Sequence, residues 1–174
     1  LRREHEVTVL AQAWLEQDLA DAEALRYQGH EVITVCESRL RAAARSGNAL
    51  FSTTLPLQVA YARSQRFLQV AQKLCTERHF DIAHVEHLRG MASIEPLAQT
   101  HPLVWDAVDC ISLLAQQAAT AGPSVAVRTI ASLEQHRTQR YEASVLARHI
   151  HIITASERDR SALLNLYRSN LPPT

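Results

Sequence analysis

Short segments rich in β-branched residues alternate with helix-forming segments along this 174-residue chain. In residues 1–10 and again in residues 25–35, a helix end leads directly into a strand pattern. Between them, apolar residues recur at helical spacing before a glycine that is well placed to end the helix: Leu15, Leu19, Ala22, Leu25 and Gly29. A strand, a helix and a second strand in this order predict a right-handed βαβ unit with parallel strands.

The same alternation continues to the end of the chain. Further strands are predicted over residues 82–85, 103–108 and 150–154, each followed by helix-forming sequence. The intervening helices are predicted as a short one from residue 39 to 46 that ends near Gly47, a long amphipathic one over 57–78, and another long one over 125–146 after the break at Gly122 and Pro123. The pattern predicts an α/β fold with one doubly wound parallel sheet.

Size and composition exclude several classes of protein and of partner. The chain is long enough for one core and too short for two full-sized domains. The net charge is zero, which disfavours nucleic acid as a partner. Cys36, Cys75 and Cys110 are far apart, which disfavours a disulfide framework or structural zinc and fits a reducing cytoplasm. The sequence contains neither a bilayer-spanning apolar run nor a signal-peptide pattern.

An abrupt change from apolar to ionisable residues follows the strand predicted over 82–85. Glu86, His87 and Arg89 come next, where ligands bind in open α/β sheets. Glu86 and His87 are candidates for a general base, or for groups that steady a developing cation, because carboxylate and imidazole exchange protons near neutral pH. The alternative is that they are ordinary solvated groups at a strand end. A metal site formed by His84, Glu86 and His87 is disfavoured, since alternate side chains of a strand share a face, so that His84 and Glu86 would point one way and His87 the other.

Polar residues also follow the next two strands. Asp109 and Ser112, after the strand over 103–108, are candidates for binding sugar hydroxyls, although Asp106 and Asp109 are equally suited to N-cap the helix that begins near residue 111. Ser156 reads as a helix N-cap whose free amides offer an anion contact. The polar run from 137 to 148 is predicted to be a solvated helix face. No glycine-rich dinucleotide or P-loop motif occurs, and we predict no metal and no cofactor.

Taken in order, these segments resemble the N-terminal, acceptor domain of GT-B type glycosyltransferases of family 4, the group 1 sugar transferases of bacterial polysaccharide assembly. The resemblance covers nearly the whole chain. It is carried by the joint at His30-Glu31-Val32 and by four longer segments, namely residues 80–89, 104–112, 140–142 and 153–160.

The resemblance implies a Rossmann-like domain over residues 1–168, with an interdomain linker starting at 169–174. It implies that the family's first strand precedes residue 1 and that a donor domain binding the nucleotide sugar follows residue 174. Transfer would be retaining, from the nucleotide sugar to a sugar or lipid-linked acceptor, and this chain alone would be inactive. Glu86 and His87 inherit the catalytic role, whereas Arg89, Asp109, Ser112 and Ser156 inherit substrate contacts. Localisation would be cytoplasmic, with peripheral contact at the inner membrane left open.

A flavodoxin-like or receiver-like module that binds a small ligand or a partner is the alternative. Such a module would use the same acidic strand ends but would need no companion domain.

Overall fold

The computed structural model describes residues 4–52, 54–148 and 151–169, and strands and helices alternate through these ranges. The elements in chain order are β1 (Thr8–Ala13), α1 (Glu16–Tyr27), β2 (Glu31–Cys36), α2 (Arg39–Ser52), α3 (Leu57–Ala62), α4 (Gln65–Glu77), β3 (Ala83–Glu86), α5 (His87–Ile94), a 3₁₀ helix (Glu95–Gln99), β4 (Leu103–Val108), α6 (Ile111–Ala121), α7 (Val125–Leu146), β5 (His151–Thr154) and α8 (Glu157–Ser169).

All described strand pairs are parallel, which confirms the predicted α/β class. β1 pairs with β2 in continuous register from Thr8 opposite Glu31 to Ala13 opposite Cys36. β4 lies between β3 and β5, with an irregularity in its register against β5 between Asp106 and Val108. The described strands form two sheets rather than the single sheet that the sequence predicts. β1 and β2 form one sheet, and β3, β4 and β5 form the other.

The boundaries of strands and helices were predicted well where the sequence contains a strong signal for the end of the element. The bounds of β4 and α7 match the prediction, and α6 begins at Ile111 and ends before Gly122 as expected. The expected linker at 169–174 and the start of the last predicted strand at residue 150 fall largely outside the described residues.

Two helix predictions were wrong. α2 continues through Gly47 to Ser52, since the cost of about 1 kcal/mol for a glycine inside a helix is outweighed by packing of Ala42 and Ala49 on the protein. The helix predicted over residues 57–78 is two helices, because the backbone is extended at Arg63 and Ser64 and α4 starts afresh with the Ser64 hydroxyl accepting a hydrogen bond from the Phe67 N–H at 3.0 Å.

One core joins both sheets to the helices. Val35 of β2 belongs to the same buried cluster as Val85 of β3, Trp105 of β4 and Leu163 of α8. The two faces of the three-stranded sheet differ, because alternate residues of a strand face opposite sides. Trp105 and Ala107 of β4 are completely buried on one face, whereas Asp106 on the other is only half-buried. The half-open face is where the ionisable residues lie.

None of the helices in the described part of the chain is both long and apolar enough to cross a membrane.

Candidate functional site

The carboxyl ends of β3 and β4 lie side by side and carry acidic side chains. Glu86, the last residue of β3, is the register partner of Asp106 on β4. Registered residues of neighbouring strands project to the same face, so the two carboxylates share one face of the sheet. His84 lies on that face as well, with Nε2 3.6 Å from Oδ2 of Asp106. Two acids and an imidazole therefore form an open cluster.

Both strand ends turn through residues with a left-handed backbone. The φ angle is 61° at His87 and 58° at Val108. Such values are uncommon outside glycine, and for a β-branched residue such as Val108 they are outliers. Strain of this kind costs about 1–3 kcal/mol per residue and concentrates at binding and catalytic sites. Because β3 and β4 are adjacent, the two strained turns lie at the same edge of the sheet.

Asp106 links the strained turn of β4 to the histidine. Its Oδ1 accepts a hydrogen bond from the Val108 N–H at 3.2 Å, while its Oδ2 faces His84. The turn is closed further by the Asp109 N–H, which donates to the Ala107 carbonyl at 2.6 Å. Asp106 thus holds the backbone that leads into the exposed Asp109.

Two carboxylates from other helices cap the first turn of α6. Glu142 on α7 is completely buried and accepts hydrogen bonds from the N–H groups of Ile111 at 2.8 Å and Ser112 at 3.3 Å. Asp159, in the first turn of α8, accepts one from the Cys110 N–H at 2.9 Å. The partial positive charge at a helix N-terminus favours both contacts. They fix α7 and α8 to the helix that follows the β4 turn.

Burial raises the pKa of the two buried groups of this cap, Glu142 and Cys110. Desolvation raises the pKa of Glu142, against the opposing effect of the hydrogen bonds from Ser112 and Ile111. Burial likewise raises the pKa of the Cys110 thiol, and the negative charge of Glu142 adds to the effect. At the surface, the Ser156 hydroxyl and then the Cys110 N–H hold the pKa of Asp159 below its usual range. Cys110 therefore remains a protonated, buried thiol rather than a nucleophile.

The structure brings four of the six residues predicted for the site to the same end of β3 and β4. Glu86 and His87 form the β3 turn, Arg89 is exposed in the first turn of α5, and Asp109 is exposed after β4. α5 begins this close to β3 because Gly90 has no side chain, and a Cβ there would lie 2.9 Å from Cγ1 of Val85.

The other two predicted residues are placed differently. Ser112 is only 3% exposed, its N–H donates to Glu142, and its Oγ lies 3.4 Å from the Cys110 sulfur, so it is not available to a substrate. Ser156 is exposed and caps α8 as predicted, accepting a hydrogen bond from the Asp159 N–H at 3.1 Å. The carboxylate of Asp159 already occupies that helix start, however, and its charge disfavours an anion there.

Sequence reasoning missed two features. Asp106 and Asp109 do not cap α6, since its N-cap residue Cys110 makes no side-chain cap and Glu142 serves instead. The polar run of α7 is not simply a solvated face, because it contains the buried Glu142 and Tyr141. The available signal was helical spacing, since four of the five buried residues of this half of α7 recur at intervals of three and four, namely Thr138, Tyr141, Glu142 and Val145, with Ala143 as the fifth.

In the described ranges, no three histidine, cysteine or acidic side chains are grouped so that they could hold a metal ion. Comparison of the chain with protein-family models, curated proteins and solved structures finds no match.

Proposed function

We propose that this chain is the acceptor-binding half of a bacterial, retaining glycosyltransferase of GT-B type. It would bind a polysaccharide or glycolipid acceptor at the carboxyl ends of β3 and β4. The nucleotide-sugar donor would be held by a second domain. On this proposal the fold is Rossmann-like and doubly wound, and one further strand, preceding the described ones, joins β1 to β3 and makes a single sheet of the two.

The observation that carries the proposal is the pair of strained turns at His87 and Val108, flanked by Glu86 and Asp109. Evolution tolerates strain of this size mainly where it positions functional groups. Carboxylates suit sugar hydroxyls, because a charged acceptor strengthens each hydrogen bond that a hydroxyl donates.

Each residue has a specific role in this proposal. Glu86 and His87 act on the reacting centre, either by taking a proton from the acceptor hydroxyl or by stabilising the positive charge that develops on the transferred sugar. Asp109 orients the acceptor, and the guanidinium of Arg89 contacts an anionic group of either substrate. Asp106 is a positioning residue that acts through the β4 turn.

The test is to titrate the chain with fragments of bacterial surface polysaccharides in isothermal calorimetry, alongside nucleotide sugars. We expect binding of an acceptor fragment, no binding of nucleotide sugar, and no sugar transfer by the chain alone. Glu86→Gln should weaken acceptor binding about tenfold or more, as expected for loss of a charged hydrogen bond. Glu77→Gln, which neutralises an exposed carboxylate on α4, is the control and should have no effect.

Absence of carbohydrate binding, or equal weakening by both substitutions, would contradict the proposal. Sugar transfer catalysed by the chain alone would contradict the division of labour between two domains.

A further inference from the structure

The N-terminal half of α7 contributes nothing to the protein core. All five buried residues of this 22-residue helix lie at or beyond Thr138. Ahead of them, Val125, Ile130 and Leu133 are 69%, 57% and 64% exposed. A surface helix normally turns polar residues to solvent, so apolar side chains at these positions indicate that this half of α7 has a partner outside the chain.

The same region is almost free of charge. Residues 111–133, which form α6, the following turn and the first part of α7, contain a single charged residue, Arg128, although 21% of the whole chain is charged. Nη1 of Arg128 donates to the Gly122 carbonyl at 2.9 Å, so this charge holds the turn between the two helices. Glu134, the next charged residue of α7, accepts a hydrogen bond from the Leu57 N–H at 2.6 Å. Depletion of charged residues distinguishes the centre of a protein interface from ordinary surface.

Three residues form an apolar line along the exposed part of α7. Ala126, Ile130 and Leu133 follow one another at intervals of four and three, which is the spacing of a coiled-coil contact. The next position of this line is Arg137, whose Nη2 donates to the Leu50 carbonyl at 3.1 Å, so the apolar line ends where α7 meets α2. We call Ala126, Ile130 and Leu133 the α7 seam. A seam this narrow fits one helix packed along it.

We propose that two copies of the chain form a dimer in which their α7 seams pack against each other, antiparallel, about a twofold axis. The axis passes between Thr129 and Ile130, so that Leu133 of each copy lies opposite Ala126 of the other. Each large side chain then meets a small one, as in the interdigitated packing of paired helices. A twofold contact requires one surface that is complementary to itself, and the α7 seam meets this requirement.

Charge favours a second copy over other occupants. The three charged side chains beside the α7 seam, Arg128, Glu134 and Arg137, are engaged within the chain, so packing the seam against itself leaves no charge unpaired. Nucleic acid and anionic membranes bind through lysine and arginine, which the seam lacks. Helices that lie in a membrane interface carry aromatic residues on their apolar side, and residues 111–133 contain none.

The length of the seam limits the strength of the dimer. From Ala126 to Leu133 the helix rises only about 11 Å, at 1.5 Å per residue. A contact between two such seams buries less than the roughly 800 Å² per partner of a standard interface. We therefore expect a dissociation constant of about 10–100 micromolar, so that the chain is dimeric when concentrated and dissociates on dilution.

Sedimentation equilibrium of the whole chain over about 2–500 micromolar measures this association. Ile130→Ser with Leu133→Ser should weaken it about tenfold or more, because the burial of both side chains is lost. Both positions are exposed, so thermal unfolding of the dilute chain should be unchanged. The matched control, Tyr27→Ser with Leu40→Ser, removes two apolar side chains that are 95% and 84% exposed on α1 and α2, and it should leave the association unchanged.

Exchanging the residues that face each other tests the antiparallel arrangement. Leu133→Ala alone leaves a gap opposite Ala126, and Ala126→Leu alone places two leucines opposite each other, so each should weaken the dimer about tenfold. The chain with both substitutions again pairs a large residue with a small one. It should associate within about threefold of the wild-type chain.

The proposal is overturned if the chain is a monomer at every concentration, if the serine variant of the seam associates as well as the wild-type chain, or if the control weakens association equally. It is also overturned if the exchanged chain is as weak as the single substitutions. A monomer that cosediments with phosphatidylcholine vesicles would assign the seam to lipid and overturn it as well. No sugar is present in these assays, so their result is independent of the proposed function.

Discussion

Val108 offers a direct test of the strain at the candidate site, because its φ of 58° should reverse the usual ranking of alanine and glycine. In an ordinary strand conformation glycine is less stable than alanine by about 0.5–1 kcal/mol, since it loses more backbone freedom on folding. In the left-handed region an L-residue carries a steric cost of about 1–2 kcal/mol that glycine does not.

The two effects oppose each other at this position, and the steric one is larger. We therefore expect Val108→Gly to be more stable than Val108→Ala by about 0.5–1 kcal/mol. Both variants lose the two γ-methyl groups of the half-buried valine, so that this part of the loss cancels in the comparison. The Asp106 carboxylate, which accepts a hydrogen bond from the residue 108 N–H, is retained in both.

Urea unfolding of the two variants measures the difference, provided that both show the same dependence on denaturant. Val104 is the matched control, since it lies on the same strand and does not have a positive φ. There Val104→Ala should be more stable than Val104→Gly by about 0.5–1 kcal/mol. If alanine is at least as stable as glycine at position 108 too, the turn is not strained and does not mark a binding site.

Three further predictions concern the surroundings of the site. Because desolvation raises the folded-state pKa of Glu142 above its ordinary 4.5, its contribution to stability is complete below about pH 4.5 and is lost as the pH rises through the folded-state pKa. Relative to Glu142→Gln, the wild-type chain should lose about 1.4 kcal/mol per pH unit over that window in urea titrations, and a constant difference would contradict the raised pKa. Gly90→Ala should destabilise the protein by about 1–3 kcal/mol, because the added Cβ would clash with Val85. Gly47→Ala should stabilise it by about 1 kcal/mol, because there is open space around Gly47 inside α2. Equal effects of the two substitutions in thermal unfolding would refute this. Cys110 should react with a thiol reagent far more slowly than the exposed Cys36, as mass spectrometry of the labelled chain would show, and comparable rates would mean that Cys110 is not buried.

The predictable part of the fold is the part that local sequence determines. β4 is a short apolar run between Pro102 and a cluster of polar residues, so both of its ends have local signals. The start of α7 has one too, because a serine N-cap follows Gly122 and Pro123. The errors arose where tertiary contacts decide. Gly47 predicts a helix end, but the packing of Ala42 and Ala49 on either side of it holds α2 together.

Part of the candidate site was also predictable. Parallel topology alone places Glu86, His87, Arg89 and Asp109 at the same edge of a sheet. The left-handed turns could not be predicted, because nothing local requires His87 or Val108 to adopt them. The role of Glu142 was equally hidden, since it depends on a contact over 31 residues of sequence with the start of α6.

The two halves of α7 should respond differently to substitution. Its C-terminal half contains the buried Glu142, which accepts hydrogen bonds from the start of α6, and the buried Val145, whereas its N-terminal half exposes Ile130 and Leu133. Substitutions at the buried positions should therefore change stability and, through α6, the turn that follows β4. Substitutions at the exposed positions should leave the free energy of unfolding nearly unchanged, because they remove little buried area. The half of α7 that contacts α6 therefore holds the candidate site in place, and the other half is free to vary without changing it.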